Sequence, residues 1–302
     1  MDLKECLQQA INAHASDVFI IAGLPVSLRK NNIISQFTEE RLLPADTENI
    51  LADIYQYAGN RDMKRLHETG DDDFSFAIKG LSRFRVSAYK QRGSLSAVIR
   101  IITFDLPDPH ALHIPDYVLR LGEGGKGMVL VTGPAGSGKS TTLACMIDQI
   151  NQSQHKHIIT LEDPLEYLHR HIQSVVSQRE INVDTENYVS GLRAALRQSP
   201  DVILLGEMRD YETIEVAMTA AETGHLLLST LHTIGAANTI DRIIDVFPAN
   251  QQKQIGVQLS TVLNAVVSQQ LVPTVDGGMV PALEIMTVTP AIRNMIRENK
   301  IP

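Results

Sequence analysis

The chain has 302 residues, of which 43% are hydrophobic and 21% are charged, a composition typical of a folded protein of about two domains. No stretch approaches the ~18 consecutive apolar residues of a membrane-spanning helix, and the N-terminus MDLKECLQQA lacks the pattern of a signal peptide. We therefore expect a cytoplasmic protein without a transmembrane segment. With 27 basic and 35 acidic residues the net charge is −8, which argues against nucleic acid as the main partner.

The N-terminal part of the chain predicts a mixed α+β module. Amphipathic patterns indicate helices over about 3–13 and 45–66, and an apolar run indicates a strand over 18–22. Apolar residues alternate with small or polar ones over 74–78 and 84–88, which predicts two half-buried strands.

A basic segment occupies these later strands. Between Phe74 and Phe104 there are six basic residues and no acidic one, directly after the acidic run Asp71–Asp73. In an acidic protein such a segment predicts a surface that faces an anion.

Prolines at 107 and 109 predict a break in regular structure. We therefore expect one domain over 1–105, a linker over 106–112 and a second domain over 113–302. In the second domain apolar runs alternate with helical stretches, which predicts a mostly parallel sheet covered on both faces. Strands are expected over 128–132, 157–161, 202–205 and 225–231, and helices from Lys139 and over 188–198, 212–222 and 236–246.

The segment Gly133–Ser140 matches the G-x-x-x-x-G-K-[ST] motif between a predicted strand and a predicted helix. Its glycines allow backbone N–H groups to surround phosphates, and the following helix presents its positive end to them. Lys139 is expected to reach the β and γ oxygens and Ser140 to bind Mg²⁺. The predicted nucleotide contacts in this segment and directly after it are Gly133, Gly136, Ser137, Gly138, Lys139, Ser140 and Thr141.

Acidic residues follow two of the predicted strands, where a parallel sheet places its ligands. Glu162, Asp163 and Glu166 follow one strand, and Glu207 follows another. We assign Glu162 as the base that activates water, and Glu207 as a ligand of Mg²⁺, partly through water. The two roles could be exchanged.

Histidines and arginines complete the predicted site. His225 and His232 flank one strand, and each is either a sensor of the γ-phosphate or a hydrogen-bonded structural histidine. Arginines neutralise charge that develops on the γ-phosphate, unless they are simply solvated. The candidates are Arg85 and Arg100 in the basic segment, and Arg193 and Arg197, four residues apart on a predicted helix.

These motifs resemble those of the PilT-type twitching-motility ATPases, the type IV pilus retraction motors within the secretion-ATPase superfamily. The resemblance rests on Walker A (Gly133–Ser140), an aspartate box (160–166), Walker B (200–210), a histidine box (224–233) and the C-terminal signature 291–298, in which Met295 replaces the usual leucine. The last segment is typical of the retraction branch, and we expect it to transmit force.

The resemblance implies an α/β chain in which an N-terminal PAS-like α+β domain precedes a RecA-like P-loop NTPase domain. It also implies a homo-hexamer that binds ATP with Mg²⁺ between domains. Arg85 and Arg100 match arginines that contact phosphate, and Arg193 and Arg197 match a second pair. The expected place is the cytoplasmic face of the inner membrane, beside a pilus platform protein. Relatives continue for several helical turns beyond the position of Pro302, which predicts that C-terminal helices are truncated.

The sequence also bears on two other functions. An assembly or secretion ATPase of the same superfamily normally carries a tetracysteine zinc module, which Cys6 and Cys145 alone cannot form. The alternative is a regulatory subunit that binds ATP without turnover and controls a paralogous motor. Measurement of ATP turnover would distinguish this subunit from a retraction motor.

Overall fold

The computed structural model describes residues 2–30, 33–102, 104, 106–275 and 278–300. The chain divides into two compact units, Met1–Phe104 and Asp105–Pro302. Among the described residues, no helix combines the length and the apolar character needed to cross a bilayer.

The first unit mixes helices and strands. Its elements are α1 (Leu3–Asn12), β1 (Asp17–Ile20), β2 (Ser27–Lys30), β3 (Ile33–Gln36), α2 (Pro44–Tyr57), α3 (Lys64–Thr69), β4 (Asp71–Ile78), β5 (Ser82–Gln91) and β6 (Ser94–Ile102).

These strands form one sheet in the order β3-β2-β1-β6-β5-β4, and each neighbouring pair is antiparallel. Alternate side chains, among them Phe74, Phe76, Phe84 and Val86, are buried in a cluster that also contains Leu51 of α2. The residues between them are more exposed. One face of the sheet therefore packs on the hydrophobic core, as the alternating pattern predicts.

The single helix expected over 45–66 is wrong, because α2 ends at Tyr57 and α3 begins only at Lys64. Between them Gly59 and Asn60 have φ values of 76° and 57°, in the left-handed region that a continuous α-helix excludes. Strands β2, β3 and β6 are missing from the sequence prediction. Strands β2 and β3 have only four residues each and no continuous apolar run, and the apolar residues of β6 do not alternate strictly with polar ones.

The second unit alternates strands and helices. Its elements are α4 (Asp116–Arg120), β7 (Gly127–Thr132), α5 (Lys139–Ser153), β8 (His157–Glu162), β9 (Val175–Glu180), α6 (Tyr188–Ala195), β10 (Val202–Leu205), α7 (Tyr211–Glu222), β11 (Leu226–Leu231), α8 (Ala236–Asp245), α9 (Ala249–Val262), β12 (Leu263–Pro273), β13 (Met279–Thr287) and α10 (Pro290–Arg297).

The seven strands of this unit are ordered β13-β12-β7-β11-β10-β8-β9, and only the β12–β13 pair among them is antiparallel. All residues of β7, β10 and β11 are buried. Met128 and Leu130 of β7 belong to one hydrophobic cluster, whereas Val129 and Val131 belong to another. Apolar side chains therefore cover both faces, and the predicted parallel sheet is confirmed.

Other elements of this unit differ from the prediction. Strand β9, helix α9 and the β12–β13 pair are not predicted, because polar residues such as Gln178 and Gln269 interrupt their apolar patterns. The helix expected over 188–198 ends at Ala195, shortly before Ser199, whose φ of 53° is incompatible with a helix.

Candidate nucleotide-binding site

The G-x-x-x-x-G-K-S segment forms the loop between β7 and α5. Strand β7 ends at Thr132 and α5 begins at Lys139. At Gly133, where φ is 142°, an added Cβ would lie 2.1 Å from the carbonyl oxygen of Gln269. Gly138 has a φ of 84°, also in the left-handed region. Glycine is needed at both positions, for lack of space at the first and for backbone conformation at both.

The Lys139 ammonium lies against its own loop. Its Nζ donates to the carbonyl oxygens of Gly133 and Pro134, both at 2.9 Å. Burial lowers the pKa of Lys139, while the negative charges of Glu207 and Glu166 act in the opposite direction. The loop therefore keeps a mostly buried amine near two carboxylates, which is the cation that a phosphate site needs.

Eight of the seventeen predicted site residues line one cavity. The residues that line it include Gly136, Lys139, Ser140, Glu162, Asp163, Glu166, Glu207 and His232. The other four residues predicted to contact nucleotide from the P-loop segment lie in the P-loop or in the first turn of α5: Gly133, Ser137, Gly138 and Thr141. The convergence follows from topology, because β7, β11, β10 and β8 are parallel neighbours whose carboxyl ends meet at one edge.

Glu162 is the last residue of β8 and has an altered acidity. Burial raises its pKa to about 7, and the nearby Glu166 carboxylate acts in the same direction. Gln178 of β9 donates from Nε2 to Glu162 Oε1 at 3.4 Å, which favours the charged form. A carboxylate with a pKa close to 7 is suited to accept a proton near neutral pH.

Glu207 follows β10 and already has two basic partners. Arg209 Nη2 lies 2.6 Å from Glu207 Oε1, and His232 Nε2 lies 3.4 Å from Oε2. The Glu207 side chain is 12% exposed. Its position is therefore constrained, which suits an anchoring role better than a proton transfer.

Sequence reasoning missed several residues of the cavity. Tyr167, His169, Tyr188 and Arg209 line it as well. The Tyr167 hydroxyl is 3.0 Å from Thr141 Oγ1, and burial lowers the pKa of His169 to about 4. Arg209 lies in the Walker B segment, where only Glu207 is assigned a role, and the other three belong to no motif with a mechanism of its own. A usable signal is that Tyr167 and His169 closely follow the acids at the end of β8.

His225 is not brought to this cavity, which corrects its assignment as a γ-phosphate sensor. It precedes β11, whereas His232 follows it, and β11 runs parallel to β7 with Leu231 opposite Thr132. His225 is thus at the edge of the sheet remote from the P-loop. Its Nδ1 lies 3.0 Å from the Ala220 carbonyl oxygen. The other interpretation of His225, a hydrogen-bonded structural histidine, fits this position better.

Arg193 and Arg197 do not line the P-loop cavity either. Arg193 is in α6 and borders a different cavity together with Asp210 and Glu212. Because α6 ends at Ala195, Arg197 lies outside the helix, and the expected shared helical face does not form.

Arg85 and Arg100 are direct cross-strand partners on β5 and β6 of the first unit. Arg100 Nε donates to Asp17 Oδ1 at 3.1 Å, and Asp17 is only 4% exposed. Arg29 Nε is 3.9 Å from the same carboxylate. The registers extend this into a cross-sheet row, formed by Ile34, Arg29, Asp17, Arg100, Arg85 and Ser75. The basic surface expected from 74–104 therefore also contains an acid from elsewhere in the chain.

A P-loop at the end of a buried parallel strand, with carboxylates at the neighbouring strand ends, defines a P-loop nucleotide-binding protein of the mixed α/β class. The chain belongs to the Type II/IV secretion system protein family, whose model matches residues 1–298.

Curated relatives narrow this similarity. The chain is 44% identical over 301 residues to the type IV pilus retraction ATPase PilT of Pseudomonas aeruginosa, covering 100% of this chain and 87% of that protein. It is 51% identical over 230 residues to a twitching motility protein of Neisseria gonorrhoeae, and this match covers 76% of this chain and 62% of that protein. The identity to the type IV pilus ATPase PilU of P. aeruginosa is 38% over 302 residues, covering 100% and 78%.

Solved structures agree with these relatives. The crystal structure of the pilus retraction motor PilT with bound ADP has a TM-score of 0.91 and 47% identity, covering 100% of this chain and 87% of that one. The ATPase DotB of Legionella pneumophila has a TM-score of 0.82 and 29% identity, covering 99% and 86%. The resemblance to PilT-type retraction ATPases that the motifs predict is thus confirmed.

Proposed function

We propose that this chain hydrolyses ATP to power type IV pilus retraction, the motor step of twitching motility. The observation that carries the proposal is a P-loop that shares one cavity with Glu162 and Glu207, in a chain that aligns over its full length with a retraction ATPase. The chemistry is hydrolysis of the γ-phosphate, and the work is removal of pilin from the pilus base.

ATP binds in this proposal with Mg²⁺. The Ser140 hydroxyl and the Glu207 carboxylate line the same cavity, and they supply the oxygen ligands that Mg²⁺ prefers. Ser140 would bind the ion directly and Glu207 partly through water. When bound, the ion neutralises charge on the phosphates. The loop N–H groups and Lys139 bind the phosphates themselves.

Glu162 is the proposed base for the attacking water. Two observations support this division of roles. The pKa of Glu162 is raised, and its hydrogen bond comes from the neutral Gln178 amide, whereas Glu207 has two basic partners. His232 contacts Glu207 and is the proposed sensor of the γ-phosphate. Through this contact, a change at the γ-phosphate would reach the Glu207 carboxylate.

The first unit supplies charge to the reaction. Arg85 and Arg100 are proposed to neutralise the γ-phosphate in a homo-hexameric ring, in which a PAS-like domain (1–105) is joined by a linker (106–112) to a RecA-like domain (113–302). The antiparallel sheet of the first unit supports the α+β assignment. Position at the cytoplasmic face of the inner membrane and contact with a pilus platform protein belong to the same proposal.

ATP turnover by the purified full chain tests the enzymatic part. Lys139→Ala should abolish turnover, because it removes a phosphate contact. Lys126→Ala is the matched control, since this exposed lysine precedes the other end of β7. The chain should also restore retraction to a strain without its own retraction ATPase. Nucleotide binding without turnover would instead favour the regulatory alternative.

A further inference from the structure

Gln269 of β12 connects the P-loop to the helix that follows it. Its side-chain amide is buried, with 3% of the residue exposed. Nε2 donates to the Ser137 carbonyl oxygen at 2.7 Å, and Oε1 accepts from Thr142 Oγ1 at 2.7 Å. One side chain therefore joins the loop before Gly138 to α5 after it.

The same residue also contacts both ends of the loop. Its carbonyl oxygen occupies the space next to Gly133, where a Cβ would lie 2.1 Å away. Its Nε2 is 2.9 Å from the position of a Cβ on Gly138. Register explains this placement, because Ser268 is opposite Thr132 and Gln269 is therefore level with the first residue of the loop.

From these contacts we propose that Gln269 is a positioning residue of the nucleotide site, which keeps the P-loop in its phosphate-binding shape. In a trans peptide the C=O and the next N–H point in opposite directions. The bond to the Ser137 carbonyl therefore directs the Gly138 N–H away from Gln269, and the bond to Thr142 fixes that orientation relative to α5. This inference rests on the proposed ATP site.

The same strand contains a natural control. Asn264, near the start of β12, donates from Nδ2 to the Lys126 carbonyl oxygen at 2.7 Å. Its Nδ2 is 2.5 Å from the position of a Cβ on Gly127, at the start of β7. Strand β12 thus places an amide at each end of β7, and only the one at Gln269 touches the P-loop.

The experiment compares Gln269→Met with Asn264→Leu in the full chain. Both remove a side-chain amide that bonds a backbone carbonyl, and both should lower the unfolding temperature without nucleotide. ADP affinity with Mg²⁺, measured by calorimetry, should fall about tenfold for Gln269→Met and stay within about twofold for Asn264→Leu. Equal affinities of wild type and Gln269→Met, or equal losses in both variants, would overturn the proposal.

Thr142→Val and Thr142→Ser provide a second route if Gln269→Met does not fold. The valine removes the donor to Oε1 at nearly constant shape, and the serine retains a hydroxyl. Weaker ADP binding by Thr142→Val, restored in Thr142→Ser, would support the proposal, whereas unchanged binding by Thr142→Val would refute it. A wild-type chain that failed to bind ADP would instead reject the proposed ATP site itself.

Discussion

Arg85 and Arg100 are directly opposed like charges on neighbouring antiparallel strands. Such a pair destabilises a sheet, because the two side chains are close and repel each other. Asp17, on the other side of Arg100, offsets part of this cost through its bond to Nε. Among the described residues Arg85 has no acidic partner, so the pair retains net positive charge. An anion bound at this place would relieve the repulsion.

Arg100→Ala should therefore lower kcat far more than it weakens ATP binding. The arginine is expected to act on charge that develops during hydrolysis, so its loss mainly affects the transition state. Steady-state turnover and equilibrium nucleotide binding of the full chain measure the two effects. Lys79→Ala removes an exposed cation from the same unit and should leave both unchanged. Equal losses in kcat and affinity for Arg100→Ala would contradict the assignment.

Asp17→Asn should reduce both stability and turnover. It removes the charge that attracts Arg100 and Arg29, and because Arg100 is 63% exposed we expect a loss of about 1 kcal/mol in the free energy of unfolding. Urea denaturation measures it. The turnover should fall because Arg100 loses its orientation. Unchanged turnover in a folded Asp17→Asn variant would show that this carboxylate does not position the arginine.

The pKa of Glu162, about 7, predicts a pH-dependent rate. As a base it must be deprotonated, so kcat/KM, which reports ionisation of the free enzyme, should rise with pH and level off above about 7. Glu162→Gln should reduce kcat by about 10²–10⁴-fold and remove this dependence. If the rise in rate with pH disappears in Glu207→Gln and persists in Glu162→Gln, the roles of the two carboxylates are exchanged.

Burial of Glu162 and burial of His169 make the free energy of unfolding depend on pH in opposite directions. The folded pKa of His169 is lowered to about 4 from the ordinary value of 6.5, so the unfolded chain binds more protons and stability falls as pH drops through this window. For Glu162 the raised pKa makes stability fall as pH rises between 4.5 and about 7. On acidification, the free energy of unfolding should therefore fall less steeply for His169→Leu than for the wild type. The difference between the two slopes should be at most about 1.4 kcal/mol per pH unit. Urea denaturation at pH 6.5 and 4.5 compares them, and equal losses on acidification would exclude the effect.

Arg293→Ala should uncouple hydrolysis from retraction. Arg293 Nη1 donates to the carbonyl oxygens of Ser260 and Thr261 at 2.7 and 2.9 Å, in the last turn of α9. These carbonyls have no partners within their own helix, so the arginine attaches α10 to α9. We expect turnover within about twofold of wild type and loss of pilus retraction in the same strain. A matching decrease in both activities would contradict a role in force transmission.

The P-loop and the acids beside it are predictable because each motif is contiguous and follows a recognisable strand. Parallel topology then brings Glu162 and Glu207 together without further information. The sequence misplaces His225 because the histidine-box pattern does not distinguish a histidine before a strand from one after it, and only the carboxyl end of the strand meets the P-loop. Gln269 and Asp17 act through strand registers, which local sequence patterns do not specify.

The cross-sheet row also makes misfolding costly. If β6 shifted by one residue relative to β5, Arg100 would turn to the core face and a neighbouring isoleucine, Ile99 or Ile101, would face Arg85. Burial of an unpaired guanidinium is among the least favourable changes a protein core can undergo. The charges proposed to serve catalysis thereby also discriminate against the wrong alignment of the hairpin while the chain is folding.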